Sequence, residues 1–563
     1  MIFKYKYDIS IVMGYYNRKP QLLNTLQYFH IVYSNYNYEV IIVDDNSTKE
    51  HQLDDIVSSY NFPIKYIKIS EEEKGNRINP CVTYNKGFKA AEGERVVIQN
   101  PECIHVGDIL KYVKEKLTYD DYIAFSCYNC NSQDLTTELL QNMSLINDAS
   151  FNSKNNCTRW YNHPIGRPVH YHFCSAMMND NLKMLGGFNE EFAKGHSFDD
   201  NEILLSIKHN LQLNIKTIDP NEQGCFVIHQ WHPRDAESKF NQQEFNSMLF
   251  KNKLLYDKYV LEHTKYDFQF PKLLHLYWDG SPLSYLNLLT VLSFNKYHIG
   301  WKINVFSPIK RNDNISWIGP EQKTKYNGFD YFNELKNIVN VNIHYIDTDL
   351  LPFNHKDASE VIKSDYFRLY ILNKFGGLWS DFDIIYTNNV ERYYSIKNLN
   401  DTKSIVLYTY KFMWEHIPVT IYPVGLFLGK KQNSILTTIL KYINVFYDDK
   451  NYQCLGATMF QNIFTKQKHH ELLMQIFSEM SVKELYIDNA DCYLKIKWNE
   501  LDSFYKTKDT DTKTFENDDN IIGIHWFNGA DVSKDYCNNL NIDLLKKSKP
   551  KCLIDKFVKQ YII

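Results

Sequence analysis

The run Ser364-Asp365-Tyr366-Phe367-Arg368 leads into Gly376-Gly377-Leu378-Trp379-Ser380-Asp381-Phe382-Asp383, and its residue types suit chemistry on a phosphorylated substrate. The pattern predicts a helix, a glycine stop and a short strand ending in two carboxylates. Asp365 and Arg368 stand three apart and so share a helix face. Gly376 and Gly377 follow the last periodic residues, Tyr370, Ile371 and Leu372, and can supply a left-handed cap. Alternate residues of extended backbone point one way, which places Asp381 and Asp383 on one side. Two such carboxylates repel each other unless a cation lies between them. A hard divalent ion that keeps waters and takes phosphate oxygens as its other ligands fits that role. Arg368 adds a planar fork for phosphate or carboxylate.

These residues read S-D-x-x-R-x-x-x-L-x-x-x-G-G-x-x-x-D-x-D, with Leu372 at the fixed leucine. They resemble the DXD sugar-transferase signature of glycosyltransferase family thirty-two and of the related clostridial glucosylating toxins. The resemblance implies that Asp381 and Asp383 lie near a Mn2+ or Mg2+ ion on a nucleotide-sugar diphosphate. It implies Asp365 and Arg368 near the donor sugar, with Gly377 in the donor-binding segment. Pro271-Lys272 and His275-Leu276-Tyr277-Trp278 resemble that family's opening, where Trp278 would stack on a uracil ring. Ile524-His525-Trp526 falls where the family presents a late histidine or tryptophan to the metal and diphosphate, which makes His525 a candidate ligand. Gly456-Ala457-Thr458 falls at the family's glycine-proline turn. Family thirty-two enzymes retain the anomeric configuration.

The first half carries a different set of pieces. Tyr16-Asn17-Arg18 follows one apolar strand, and Val43-Asp44-Asp45-Asn46-Ser47 ends the next. Asn79-Pro80 through Gly93 precede a third strand that runs into Gln99-Asn100-Pro101-Glu102. Then come Trp160-Tyr161-Asn162-His163-Pro164, Gly186-Gly187-Phe188-Asn189-Glu190, Phe198-Asp199-Asp200-Asn201-Glu202 and Val227-Ile228-His229-Gln230-Trp231-His232. Together they resemble glycosyltransferase family two, an inverting family with a GT-A fold. The resemblance implies donor contacts at Arg18, Asp44 and Asp45, with Asp45 holding the nucleobase or ribose, and a catalytic base at Asp200. An inverting transfer needs such a base, because the acceptor hydroxyl loses its proton as it attacks the sugar from the back. The structural alternative is that Asp199 and Asp200 cap a helix beginning near Asn201. The family's usual Asp-x-Asp is replaced by Asn100-Pro101-Glu102, which leaves Glu102 as donor and metal contact. His229 or His232 would add a nitrogen ligand better suited to Mn2+ than to Mg2+; His105 and His163 are weaker candidates.

These pieces need two scaffolds. A chain of 563 residues exceeds one ordinary core. Apolar strands at Ile9–Met13, Val40–Val43 and Arg95–Gln99 alternate with helices, the first from about Lys19 to Phe29. This order predicts a mostly parallel sheet with ligands beyond the strands' carboxyl ends. A polar helix from about Glu237 to Glu262 precedes a boundary near Tyr266–Phe270. Alternation then resumes with strands at Pro271–Trp278, Lys302–Phe306, Val341–Tyr345 and Ile405–Tyr408. The expected architecture is α/β: two tandem GT-A-type, Rossmann-like domains over residues 1–265 and 266–563, without a repeat visible in the sequence. The polar run Lys506–Asn520 reads as a mobile loop.

Net charge is −4, which leaves no electrostatic footprint for nucleic acid. No apolar run approaches a membrane span and no signal-peptide core follows Met1, so a soluble, cytoplasmic protein is expected. The 11 cysteines are scattered, and Cys127 and Cys130 lack a second pair, so they read as small apolar residues rather than a zinc or redox site. Aromatic residues make up 15% of the chain, including 42 Tyr, which reads first as compositional bias and only secondarily as sugar binding.

The expected activity is a bifunctional glycosyltransferase that uses nucleotide-sugar donors, UDP-linked, on a glycan or glycoconjugate acceptor. The alternatives are a chain active only in its second half, with the first an acceptor-holding module, a non-enzymatic carbohydrate-binding or scaffold protein, and a toxin-like enzyme that glycosylates protein. Surface-polysaccharide, capsule or fibre glycosylation is the expected setting.

Overall fold

The computed structural model describes residues 3–141, 159–233, 240–312, 324–397, 399, 401–414, 416–467, 470–506 and 511–562. The chain separates into two compact units, Lys4–Leu261 and, with the first three residues, Glu262–Ile563. The division falls inside the helix Gln242–Thr264 rather than after residue 265.

The first lobe is built on β1 (Tyr7–Tyr15), β2 (Tyr38–Asp44), β3 (Ile64–Lys68), β4 (Gly93–Gln99), β5 (Cys103–Val106), β6 (Asp121–Asn129), β7 (Trp160–Asn162), β8 (Cys174–Met178), β9 (Asn214–Ile218) and β10 (Phe226–His229). They form one sheet in the order β3-β2-β1-β4-β8-β6-β10-β5, with β7 and β9 also on β6. β3, β2, β1 and β4 are parallel, and β8 runs against both β4 and β6. All seven residues of β2 are buried, as expected of a parallel strand covered on both faces. The first helix runs Lys19–Val32, one turn beyond the expected end.

The second lobe contributes β11 (Leu273–Tyr277), β12 (Lys302–Pro308), β13 (Val341–Ile346), β14 (Gly377–Ser380), β15 (Ile384–Tyr386), β16 (Ile405–Trp414), β17 (Ile417–Ile421), β18 (Leu426–Gly429), β19 (Leu485–Asn489) and β20 (Gly523–His525). The sheet order is β13-β12-β11-β14-β18-β16-β17, with β19 on β16, and β15 pairs β20 in a separate antiparallel ribbon. Here too the first four strands are parallel and the next, β18, runs against both its neighbours. The tandem α/β organisation read from the sequence is the one the chain adopts.

Three local expectations change. The polar helix begins at Gln242, and positions 234–239 lie outside the described residues. Within the run read as a loop, positions 507–510 lie outside the described residues, whereas Lys513–Glu516 forms a helical turn that buries Phe515. The strand expected to carry Asp381 and Asp383 stops at Ser380, and the two acids sit in the turn before β15. Cys127 and Cys130 are buried among apolar neighbours, as expected. Among the described residues no helix is long and apolar enough to cross a membrane.

Candidate functional sites

In the first lobe the strand ends collect the polar groups. Asp44 closes β2 with both carboxylate oxygens spoken for: Oδ1 accepts the Ser47 N–H at 2.8 Å and Oδ2 accepts the Tyr66 hydroxyl. Only 2% exposed, it shapes the loop that carries Asp45. Asp45, one residue further, is half-buried and pairs with Lys74 at 2.9 Å and Arg77 at 3.8 Å. Arg18 precedes the first helix and donates to the Asn17 and Pro233 carbonyls at 3.1 and 3.3 Å.

The Gln99–Glu102 turn is held from inside. The Gln99 amide donates to the Cys103 carbonyl at 2.6 Å, and the Thr25 hydroxyl donates to the Pro101 carbonyl at 2.9 Å. Gln230 donates both its backbone and side-chain N–H to the Glu102 carbonyl at 3.1 Å. The Glu102 carboxylate therefore faces the end of β10, where His229 Nε2 and His232 Nε2 stand 3.2 and 3.6 Å from one oxygen. Burial pushes the Glu102 carboxyl up, but the two imidazoles more than offset this and hold it below the ordinary carboxylate range. One ligand atom from each of the three lies within 4.8 Å of the others. His105 is no part of this group: it is buried in the core between the Tyr33 hydroxyl at 2.8 Å and the Gln99 side-chain Oε1 at 2.6 Å. Burial lowers its pKa to about 3. His163 likewise serves its own turn, accepting from the Ile165 and Gly166 N–H groups at Nδ1.

Asp199 and Asp200 open the helix Asp199–Ser206, and its N-cap residue, Phe198, makes no side-chain cap. Ser197 and Phe198 both have positive φ, 58° and 68°, a costly pair for side-chain-bearing residues. Asn252, fully buried on the Gln242–Thr264 helix, fixes this turn by donating to the Ser197 and Phe192 carbonyls at 2.9 and 3.1 Å. Asp200 is not a cap. Its Oδ1 accepts the His172 backbone N–H at 3.0 Å and is also bonded to His172 Nδ1, while Oδ2 has no hydrogen-bond partner among the described residues. The His172 ring is clamped edge-on by Tyr84 and Phe188. Burial lowers the His172 pKa, and the Asp200 carboxylate raises it by more. Asp199 accepts from Asn79 at 2.8 Å, and burial followed by the neighbouring Asp200 raises its pKa. His172, Asp199 and Asp200 also have ligand atoms within 4.8 Å of one another. His172 was not singled out from the sequence, where nothing distinguishes it from its neighbour His170.

In the second lobe the helix Glu360–Phe375 presents Asp365 and Arg368 on one buried face, 2.7 Å apart. The Arg368 guanidinium also reaches the Val424 carbonyl at 2.5 Å and Asp381 at 3.4 Å, and lies over the Trp379 ring at 5.0 Å. Gly376 stops the helix at φ 71°, ψ −171°, a region only glycine visits readily, rather than in the left-handed helical cap expected. Gly377, at φ 108°, lies inside the sheet, where a Cβ would stand 2.5 Å from the Leu273 carbonyl. The absent side chain permits this close strand packing. Trp278 is only 9% exposed, its Nε1–H donates to the Ser281 carbonyl at 2.6 Å and its ring meets Phe382 edge-on. Little of the ring's surface is open in this conformation.

Because Asp381 and Asp383 lie in a turn, they have separate partners. The Trp379 indole N–H donates to Asp381 Oδ1 at 3.0 Å. Asp383 Oδ2 accepts the Asn528 N–H at 2.9 Å, and His525 Nε2 stands 3.1 Å from Asp383 Oδ1, without the alignment of a hydrogen bond. Burial raises the Asp381 pKa, Arg368 opposes this, and Asp383 raises it again. Burial acts the same way on Asp383, but the His525 charge and contacts bring it below the usual value. Asp365 is pushed up to about 6 by burial, against Arg368 and with Asp381. Asp381, Asp383 and His525 are more widely spaced than the Glu102 group. A Cβ added to Gly425 would stand 3.1 Å from Asp381 Oδ2 and 3.8 Å from His525 Nε2, so the missing side chain leaves a cradle between them. A Cβ at Gly456 would meet Asp365 Oδ2 at 2.7 Å. Beyond the ends of β11, β12 and β13 lies a cavity of about 400 Å³ lined by Gly280, Ser281, Ser307, Pro308, Phe332 and Tyr345.

Residues 10–183 match glycosyl transferase family 2, and residues 296–405 match the glycosyltransferase sugar-binding region containing the DXD motif. Residues 429–552 match the alpha 1,4-glycosyltransferase conserved region. Each lobe carries a glycosyltransferase-family region. The family 2 lobe holds the Asp200–His172 and Glu102–His229–His232 groups, and the DXD lobe holds Asp365, Arg368, Asp381, Asp383 and His525. No curated protein matches the chain. Among solved structures, S. aureus TarS is 17% identical with a TM-score of 0.28, over 45% of this chain and 40% of that one. The mannosyltransferase PcManGT from Pyrobaculum calidifontis, solved with GDP-Man and Mn2+, is 15% identical with a TM-score of 0.27, over 42% and 60%. The PaToxG glycosyltransferase is 18% identical with a TM-score of 0.24, over 41% and 83%. The chain thus spans 40% to 60% of the first of these structures.

Proposed function

We propose that the chain is a bifunctional glycosyltransferase that moves sugars from nucleotide-sugar donors, UDP-linked, to a glycan or glycoconjugate acceptor. The family 2 lobe inverts and the DXD lobe retains. The observation that carries the reading is that each lobe gathers, beyond the carboxyl ends of its parallel strands, acids whose partners leave one face open to a ligand.

In the family 2 lobe Asp200 is the base. Both donors of His172 converge on its Oδ1, so Oδ2 is left to take the acceptor hydroxyl's proton. Asp45 and Arg18 flank the end of β2 and of β1, the place for the donor's nucleoside. A divalent cation fits Glu102, His229 and His232: a single carboxylate oxygen faces two imidazole nitrogens, a donor set that favours Mn2+ over Mg2+.

In the DXD lobe the residues also fit a cation. Asp383 Oδ1 is buried beside the His525 imidazole without an aligned hydrogen bond among the described residues, and the Gly425 cradle separates Asp381 from His525. Asp381, Asp383 and His525 would hold Mn2+ or Mg2+, which neutralises charge on the leaving diphosphate. Arg368 orients the sugar with Asp365 and adds positive charge toward the same side. The cavity at Ser281 and Ser307 has the size for a nucleoside. No protein base is assigned here, because a front-side transfer needs none.

The test is a donor screen on the full-length protein with UDP- and GDP-sugars and Mn2+, following nucleotide release. Metal-dependent release from at least one sugar nucleotide is expected. Absence of release from every donor, with and without metal, would falsify the reading.

A further inference from the structure

The backbone folds tightly around Asp383. Trp526 donates its N–H to the Asp383 carbonyl and Asn528 donates to Oδ2, both at 2.9 Å. The residue between them, Phe527, is held at φ 54°. A bulky side chain seldom occupies that region, and such strain persists only where its surroundings impose it, most often at ligand sites. The consequence is directional: the Phe527 ring lies 4.3 Å from the His525 ring and 5.5 Å, edge-on, from Trp498.

Trp498 continues the row outward. It is 45% exposed, which a core residue of its size would not be. Its neighbour Lys497 sets an ammonium 4.2 Å above the Tyr410 ring, and Tyr410 stacks on Phe412 at 5.7 Å and 22°. Tyr410 and Phe412 are half-buried on β16. Polar groups accompany the rings: Lys497 is paired with Asp491, and the Asn489 amide donates to Asp491 at 3.1 Å.

We infer that the row Phe527, Trp498, Tyr410 and Phe412 is a binding track for an acceptor glycan, leading its reacting end to the Asp383–His525 edge of the DXD site. A pyranose ring has an apolar C–H face and a rim of hydroxyls. The flat rings match the face, and Lys497, Asp491 and Asn489 match the rim. The rings come from three separate segments, β16 and the turns holding Trp498 and Phe527, and a chain of flat sugar rings matches such a series of apolar faces. The inference rests on the proposed role of the DXD lobe, and it narrows the acceptor to a glycan chain and gives the place where it lies.

The test titrates maltohexaose, cellohexaose and chitohexaose, each in turn, into the full-length protein with UDP and Mn2+, by calorimetry. At least one hexasaccharide binds the wild type. Trp498→Ala weakens it about tenfold or more, Trp498→Phe keeps most of the affinity, and both bind UDP–Mn2+ as the wild type does. Should Trp498→Ala lose UDP as well, Phe412→Ala, further along the row, carries the same expectation. The track is refuted if the wild type binds UDP–Mn2+ but none of the three hexasaccharides, or if hexasaccharide affinity is indifferent to these substitutions. Failure of the wild type to bind UDP–Mn2+ at all strikes instead at the function proposed for the lobe.

Discussion

The two lobes share a plan and differ in how their acids are balanced. Four parallel strands, then one antiparallel strand, then a strand running against that one, recur as β3-β2-β1-β4-β8-β6 and β13-β12-β11-β14-β18-β16. Even the extra parallel strand on the last member recurs, β9 on β6 and β19 on β16. In the first lobe imidazoles meet the acids: His229 and His232 face Glu102, and His172 holds Asp200. In the second a buried guanidinium touches Asp365 and Asp381, and His525 touches Asp383. One strand order thus supports two electrostatic solutions. Under the proposed function, the first lobe would use one fixed carboxylate to move a proton, and the second would use two incompletely neutralised acids to receive a cation and a diphosphate.

The largest expected effect is at the acids of the second lobe. Asp383→Ala removes the carboxylate that meets both His525 and the Asn528 N–H, and should lower metal-dependent nucleotide release from that lobe's donor by about a hundredfold or more. Steady-state release assays with the full-length protein measure this, and the first lobe's product should persist. In the first lobe His172 divides a structural from a catalytic role. Asn can place its amide nitrogen where Nδ1 lies, whereas Gln places it where Nε2 lies. His172→Asn should therefore keep most of the inverting activity, and His172→Gln should lose about tenfold or more, with acceptor KM little changed. Equal loss in both variants would reduce His172 to packing.

A smaller effect tests the cradle. Gly425→Ala puts a methyl 3.1 Å from Asp381 Oδ2. Mn2+ affinity of the second lobe should fall about tenfold, read by titrating metal against nucleotide release, with the first lobe's metal dependence unmoved. The smallest effect is one of pH. Asp365 has its pKa raised to about 6 by burial, so the folded protein holds this proton more tightly than the unfolded chain does. Its contribution to stability is present at low pH and lost as pH rises through about 6. Its ionised form, proposed to orient the sugar, is gained over the same range, so second-lobe activity should decline below about pH 6, and Asp365→Asn should flatten that limb.

Much of this was legible in the sequence because it is local. The buried run of β2 and the spacing of Asp365 and Arg368 are set by neighbours two to four residues away, which is the range that periodicity reports. What was not legible depends on distant partners. His172 gains its meaning from Asp200, 28 residues on, and the positive φ values at Ser197 and Phe198 depend on Asn252 from another helix. Alternation misled at Asp381 and Asp383, because a pleat-based argument holds only while the strand lasts, and β14 ends one residue too soon. Gly377 shows a related limit: a glycine that suits a ligand also suits a tight sheet, and only its neighbour Leu273 reveals the second demand.

Product analysis of two full-length variants tests the claim of two independent transfer sites most directly. Asp200→Asn and Asp383→Asn, each incubated with the donors found in the screen, a glycan acceptor and Mn2+, should each abolish one linkage of opposite anomeric outcome and spare the other. Loss of the same single product in both variants, or an unchanged product set in Asp200→Asn, would contradict it.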